Sequence, residues 1–180
     1  MLSDNELVSL LSDPMTRREG FSALVRQYSE QLYWKIRRVV LNHEDANDVL
    51  QNAFIKAWKS LDTFQGKSSM STWLYRIAIN EALDFLRKQK AAGSVSADEN
   101  LSVANKLMAD EYFDGDRMEA LLHEAVSKLP TVQRTVFTMK YFDEMKYSEI
   151  SKVLNTSEGA LKASYHLAVK KITEYFQNNN

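Results

Sequence analysis

The chain has 180 residues, 44% hydrophobic and 26% charged, with no cysteine and a formal net charge of −1. This rules out disulfides, thiolate zinc sites and cysteine nucleophiles, and gives enough length for one medium domain or two small ones. No apolar run approaches the ~20 residues of a membrane helix, and the acidic start MLSDNELVSLLSDPM is no signal peptide, so no membrane insertion and a cytoplasmic, reducing compartment are expected.

The charge is unevenly spread. Residues 1–20 carry net −2, 21–90 net +4, 91–116 net −5 and 117–180 net +2. Two mildly basic blocks around an acidic connector leave nucleic acid open as a ligand, which the overall charge alone would disfavour.

Five glycines and two prolines interrupt no long periodic segment, so an all-α chain is favoured. Over 21–42, Phe21, Leu24, Val25, Tyr28, Leu32, Ile36, Val39 and Val40 form one helical stripe. Over 45–61, Ala46, Val49, Leu50, Ala53, Phe54, Ala57 and Leu61 do the same. A polar loop, TFQGKSSMS, then leads into MSTWLYRIAINEALDFLRK, residues 70–88, with Ser71 and Thr72 as the expected N-caps. This helix is apolar on two adjoining sides, Leu74, Ile77, Ala78, Ala82 and Phe85 on one, Tyr75, Ile79, Leu83 and Leu86 on the other. Only a narrow strip of Trp73, Arg76, Asn80, Asp84 and Arg87 stays open. Helices with short connections predict one compact bundle over residues 1–90.

Residues 91–116 lose this periodicity and are rich in Ala, Ser, Asn and acids. They read as a linker, flexible at least over 91–103, with a short helix possible at ANKLMADEYF. Patterning resumes at 117, where RMEALLHEAVSKL places Met118, Leu121, Leu122, Ala125 and Leu129 on one side. Pro130 ends that helix and starts the next, TVQRTVFTMKYF.

The stretch YSEISKVLNTSEGALKASYHLAVKKI has the make-up of a helix-turn-helix. Ile150, Val153 and Leu154 form the first buried face, and Asn155 suits a left-handed turn. Ser157 is placed to cap the second helix, whose inner stripe is Leu161, Tyr165, Ala168 and Ile172. Its outer face offers Lys162, His166 and Lys170, with Ser164 and Lys171 at the flanks, in the manner of a recognition helix that reads bases and pairs with phosphate. A solvated helical hairpin has the same pattern.

The two halves together resemble bacterial RNA polymerase sigma factors of the extracytoplasmic-function (ECF) type. The resemblance runs from about Phe21 to Phe176 and is carried by HEDANDVLQNAFIKAWKSLDTF, STWLYRIAINEALDFLRK and LPTVQRTVFTMKYFDEMKYSEISKVLNTSEGALK, in that order. It implies two small helical domains joined by a flexible linker. Residues 1–90 would be sigma region 2, binding core polymerase and melting the proximal promoter element, and 117–180 would be region 4, a helix-turn-helix domain for the distal element. The implied partners are core RNA polymerase, promoter DNA and an inhibitory anti-sigma factor, with no cofactor and no metal.

The resemblance also assigns residues. Asp48, Gln51 and Asn52 would face the polymerase clamp, with Phe54 packing below or at the margin. The loop FQGKSS, 64–69, matches the family's specificity loop, making Phe64, Lys67 and Ser68 candidates for holding an extruded base. The strip of Trp73, Arg76, Asn80 and Arg87 then has the chemistry for single-stranded DNA: an aromatic to stack, an amide to read a base edge and guanidiniums for phosphate. In the second domain, Ser157, Lys162, Ser164, His166 and Lys170 would lie toward the major groove. Here the chain departs from the family's common pattern, reading ALKAS after the turn glycine, so Ala160 and Ala163 remove hydroxyls and base specificity should differ.

A free-standing helix-turn-helix regulator is the main alternative, but it would not need the DANDVLQNAF helix or the aromatic-plus-Asn strip. A helical protein-interaction module is a second. An enzyme fits least, since there is no phosphate loop, nucleophile elbow or metal pair.

Overall fold

A computed structural model describes residues 1–93 and 115–178 of the chain. Of the linker expected over 91–116, residues 94–114, with the short helix expected there, fall outside the described residues, while Ala91 still belongs to the helix before it. Every regular element among the described residues is helical: α1 (Asp4–Ser12), α2 (Arg17–Val40), α3 (His43–Ser60), a 3-10 turn (Leu61–Thr63), α4 (Met70–Ala91), α5 (Arg117–Ser127), α6 (Thr131–Phe137), a π turn (Thr138–Phe142), α7 (Tyr147–Leu154) and α8 (Glu158–Asn178). The chain divides into two compact units, Met1–Lys88 and Gln89–Asn180.

In the first unit the predicted stripes are the core. Leu24, Leu32, Ile36 and Val39 of α2 meet Ala46, Val49, Ala53 and Ala57 of α3, all nearly or fully buried, and Met70, Leu74, Ala78, Ile79 and Ala82 of α4 are buried as well. α2 ends at Leu41, which turns left-handed at φ 69°, and Asn42 then caps α3 by accepting the N–H groups of Glu44 (2.8 Å) and Asp45 (3.2 Å).

Two features of this unit differ from expectation. No element was expected over residues 1–20, yet α1 forms there and buries Leu7 and Leu11. A Ser3–Glu6 capping box starts it, and close packing on Gly20 of α2 holds it. The cap of α4 is Ser69, whose hydroxyl accepts the Thr72 N–H at 3.2 Å, not Ser71 or Thr72. The helix starts at Met70, as the sequence suggests, with its cap two to three residues before the expected ones, and Asp4, from α1, accepts the Met70 N–H at 2.9 Å.

The second unit is built on α8, against which α5, α6 and α7 pack. Ala125, Val126, Leu129, Phe137, Ala168 and Ile172 form its core, with Tyr165 stacked on Phe137 at 5.6 Å. Met118, expected on the inner side of α5, is 59% exposed; Ala120 and Val126 are buried instead. The expected single helix over 131–142 widens after Phe137 into the π turn, closed by the Asp143 N–H donating to the Thr138 carbonyl at 3.2 Å. After that wider turn Tyr141 stacks on Phe137 at 5.1 Å and Phe142 meets it edge-on at 6.1 Å.

Candidate nucleic-acid interface

On α3, Asp48, Gln51 and Asn52 are exposed together on the polar side. Phe54, grouped with them in the sequence reading, is only 9% exposed and lies edge-on to Phe21 at 6.4 Å, so it supports this surface from beneath. The same outer face continues through Ile55 and Trp58, 47% and 39% exposed. Sequence reasoning missed both. Spacing from residue 48 through 51, 55 and 58 was the available signal, since it is one helical stripe ending in apolar residues that a solvated face does not need.

The loop from Phe64 to Ser69 turns at Gly66, which takes φ 66°, and Gln65 through Ser69 are exposed. Phe64 is half-buried because its ring packs on Trp73 at 5.2 Å. The loop and the strip of α4 are therefore joined by an aromatic pair, which leaves part of each ring open to stacking. Lys67 and Ser68 have no partner among the described residues.

Along α4, Arg76, Asn80 and Arg87 are exposed as expected, and Asp84 is half-exposed. Arg87 pairs with Asp84, three residues earlier. Lys56 reaches across from α3 to Glu81, a carboxylate only 9% exposed, and approaches Asp84 at 4.0 Å. Arg76 and Asn80 enter no such pairing among the described residues. The strip thus presents a guanidinium and an amide ready for a ligand, beside a guanidinium that must first leave a carboxylate.

In the second unit the helix-turn-helix geometry is as the residues demand. Asn155 adopts the left-handed conformation (φ 50°, ψ 48°). Ser157 caps α8, its hydroxyl accepting the Ala160 N–H at 3.3 Å. Lys162, His166, Lys170 and Lys171 are exposed on the outer face of α8, with Ser164 half-buried at its flank. Tyr147, at the start of α7, sits between two cations, Lys140 Nζ 5.3 Å and Lys162 Nζ 5.7 Å from its ring centroid. Burial raises the phenol's pKa, so Tyr147 stays neutral at physiological pH.

Arg134 of α6 is buried, and its guanidinium donates to the carbonyls of Ser127 (3.1 Å) and Leu129 (3.3 Å) at the end of α5. Burial lowers its pKa to about 10, still charged at neutral pH, which suits a cation at a helix C-terminus. The histidines are scattered: His43 lies 2.7 Å from the Tyr33 hydroxyl, His123 stacks on Phe142 at 4.8 Å, and His166 is exposed. Among the described residues no group of acidic and histidine side chains gathers to hold a metal, and no helix is long and apolar enough to cross a membrane.

Comparison with known proteins agrees with this geometry. Two family models match the chain, Sigma-70 region 2 over residues 24–92 and Sigma-70, region 4 over residues 119–172. ECF RNA polymerase sigma factor SigW of Bacillus subtilis (strain 168) is 33% identical over 158 residues, covering 83% of this chain and 84% of that protein. Among solved structures, CnrH in complex with the cytosolic domain of CnrY matches with a TM-score of 0.68 at 23% identity, over 98% of this chain and 99% of that one. The sigma factor RpoE of Bartonella quintana, in complex with the anti-sigma factor NepR, matches with a TM-score of 0.66 at 17% identity, over 89% of this chain and 98% of that one. At these identities the two structures speak for the fold.

Proposed function

The chain belongs to the ECF sigma factors, which direct RNA polymerase to promoters, and we propose how its surfaces divide that task. The polar side of α3, with Asp48, Gln51 and Asn52 flanked by Ile55 and Trp58, docks on core polymerase. The loop 64–69 and the strip of Trp73, Arg76, Asn80 and Arg87 hold the melted strand of the proximal element. Ser157, Lys162, Ser164, His166 and Lys170 contact the distal duplex. In this reading the chain contributes recognition and melting to the polymerase's chemistry and catalyses nothing itself, and its place is the cytoplasm.

The observation that carries this division is the pair Arg76 and Asn80, exposed and without a partner among the described residues, on a helix whose Leu74, Ala78, Ile79 and Ala82 are buried. A bundle gains nothing from an amide there, whereas unpaired DNA offers it a base edge. Regulation follows from exposure. The α3 surface and the apolar groove of Met118, Leu122, Tyr141, Phe142 and Phe176 in the second unit are open to an anti-sigma factor, and the solved RpoE is one neighbour held by such a partner.

Reconstitution tests the proposal. Purified chain mixed with core polymerase should form a holoenzyme that transcribes selected members of a randomised promoter library. Core binding without promoter selection would remove the DNA assignments; selective duplex binding without core binding would remove the α3 assignment.

A further inference from the structure

The loop 64–69 has no anchor of its own between its ends. Gln65, Gly66, Lys67 and Ser68 are exposed and make no hydrogen bond or ion pair with the other described residues. Both ends, however, are tied to the same distant piece of chain. At the exit, Asp4 Oδ2 accepts the Met70 N–H at 2.9 Å, while Tyr28 Oη donates to Asp4 Oδ1 at 3.4 Å. At the entry, Arg17 Nη2 donates to Asp62 Oδ1 at 2.8 Å, and Arg17 Nε donates to the Leu11 carbonyl at the end of α1 at 3.0 Å.

The piece that supplies these anchors is itself seated firmly. Leu2 and Gln27 exchange two hydrogen bonds, Leu2 N–H to Gln27 Oε1 at 2.9 Å and Gln27 Nε2 to the Leu2 carbonyl at 3.1 Å. At the other end, a Cβ on Gly20 would lie 2.7 Å from Leu10 Cβ and 3.1 Å from the Leu10 carbonyl carbon, so α1 and α2 approach as closely as glycine allows. Leu7, at the centre of α1, is fully buried.

From this arrangement we infer that α1 and its junction with α2 position the loop, with Asp4 and Arg17 as positioning residues that set base selectivity without touching DNA. The inference rests on the proposed role of the loop in reading the melted strand. A loop fixed at both ends keeps its reading residues ordered before DNA arrives, so little freedom is lost on binding. Releasing one end lengthens the free segment and spreads Phe64, Lys67 and Ser68 over more conformations. The two anchors are unequal. Asp4 accepts the first N–H of α4 beside the Ser69 cap, and loss of a helix-end contact of that kind alters a local equilibrium by about 2- to 30-fold. The Arg17–Asp62 pair is partly exposed and contributes less.

The test uses the full chain with core polymerase and a library of pre-melted templates randomised across the upstream edge of the bubble, with transcripts sequenced to give base preference by position. Asp4→Ala should flatten preference at the loop's position by about 3- to 10-fold while preference elsewhere and core binding hold. Asp4→Asn, which keeps an accepting oxygen, should restore most of it. Arg17→Asp should flatten the same position more weakly, and Arg17→Asp with Asp62→Arg should recover it, which keeps the inference testable should Asp4→Ala fail to fold. Phe64→Ala, run in parallel, reports on the loop itself. If Phe64→Ala changes the preference and neither Asp4→Ala nor Arg17→Asp does, α1 does not position the loop. If Phe64→Ala also changes nothing, the loop is not the reader and the reading beneath the inference fails as well.

Discussion

Replacing Asn80 by alanine separates DNA reading from folding more cleanly than any other change in the first unit. Asn80 is exposed in the middle of α4, and its amide has no hydrogen-bond partner among the described residues. Its removal therefore leaves no buried group unsatisfied and opens no cavity, so stability should move by no more than about 0.5 kcal/mol. The direction should be upward, because alanine is the better helix former. An amide that reads a base edge contributes about 1–3 kcal/mol of discrimination, which is roughly 5- to 150-fold in occupancy of the melted state. The fold and the opened promoter should thus respond in opposite senses. Abortive transcription from closed and pre-melted templates, each carrying all four bases at every position of the proximal element, resolves the two. We expect an unchanged or slightly higher Tm, a loss on closed templates largely recovered on pre-melted ones, and altered preference at one position. An equal loss on both templates with no change in preference would refute the assignment and leave Asn80 as a solvated helix residue.

Charge reversal on α3, Asp48→Arg with Gln51→Ala, should weaken capture of core polymerase by about tenfold or more with the Tm held, and unchanged capture would move the docking surface elsewhere. Lys162→Ala and Lys170→Ala should each lower affinity for the distal duplex and flatten its salt dependence by about one unit of slope, measured by titration at several ionic strengths. Arg134→Ala removes the donors that close the end of α5 and empties a buried site, so denaturant unfolding of the full chain should show the second unit destabilised by about 2–4 kcal/mol. A smaller change, below about 1 kcal/mol, would mean that relief from burying the charge offsets the lost bonds.

The helices were legible because each stripe has one period and one core to face. Leu24, Leu32 and Ile36, or Leu161, Ala168 and Ile172, are buried where their spacing puts them. What escaped has a physical pattern too. α1 is short, and its strongest local signal is the Ser3–Glu6 box; its other support, burial of Leu7 and Leu11 and close packing at Gly20, is known only once α2 is in place. The start of α4 depends on Asp4, 66 residues earlier, so no local cap rule finds it. Met118 shares a helical stripe with Leu122 and Ala125, but it sits in the first turn of α5, beyond the reach of the core. The π turn at Thr138–Phe142 is invisible to a 3.6-residue period.

Sequence can place a side chain on a face without showing what else that face holds. Trp73, Arg76, Asn80, Asp84 and Arg87 read as one open strip, and in the folded chain they are not equally open. Trp73 is shared with Phe64, and Arg87 with Asp84. Lys56, which the strip reading did not include, arrives from α3 to neutralise the nearly buried Glu81. That pair must stay intact, since a buried carboxylate stripped of its cation costs several kcal/mol. The Arg87–Asp84 pair is different. Both side chains are substantially exposed, 77% and 39%, and a pair of that kind holds by no more than about 1 kcal/mol. A phosphate can therefore take Asp84's place on Arg87 for little, whereas it cannot take Glu81's place on Lys56. Among the described residues Arg76 and Asn80 have no pairing to exchange. The energetic order of the strip as a DNA surface is thus Arg76 and Asn80 first, Arg87 after a small penalty, and Lys56 not at all, an order set by the neighbours on α3 and α4 and not by position on the helix.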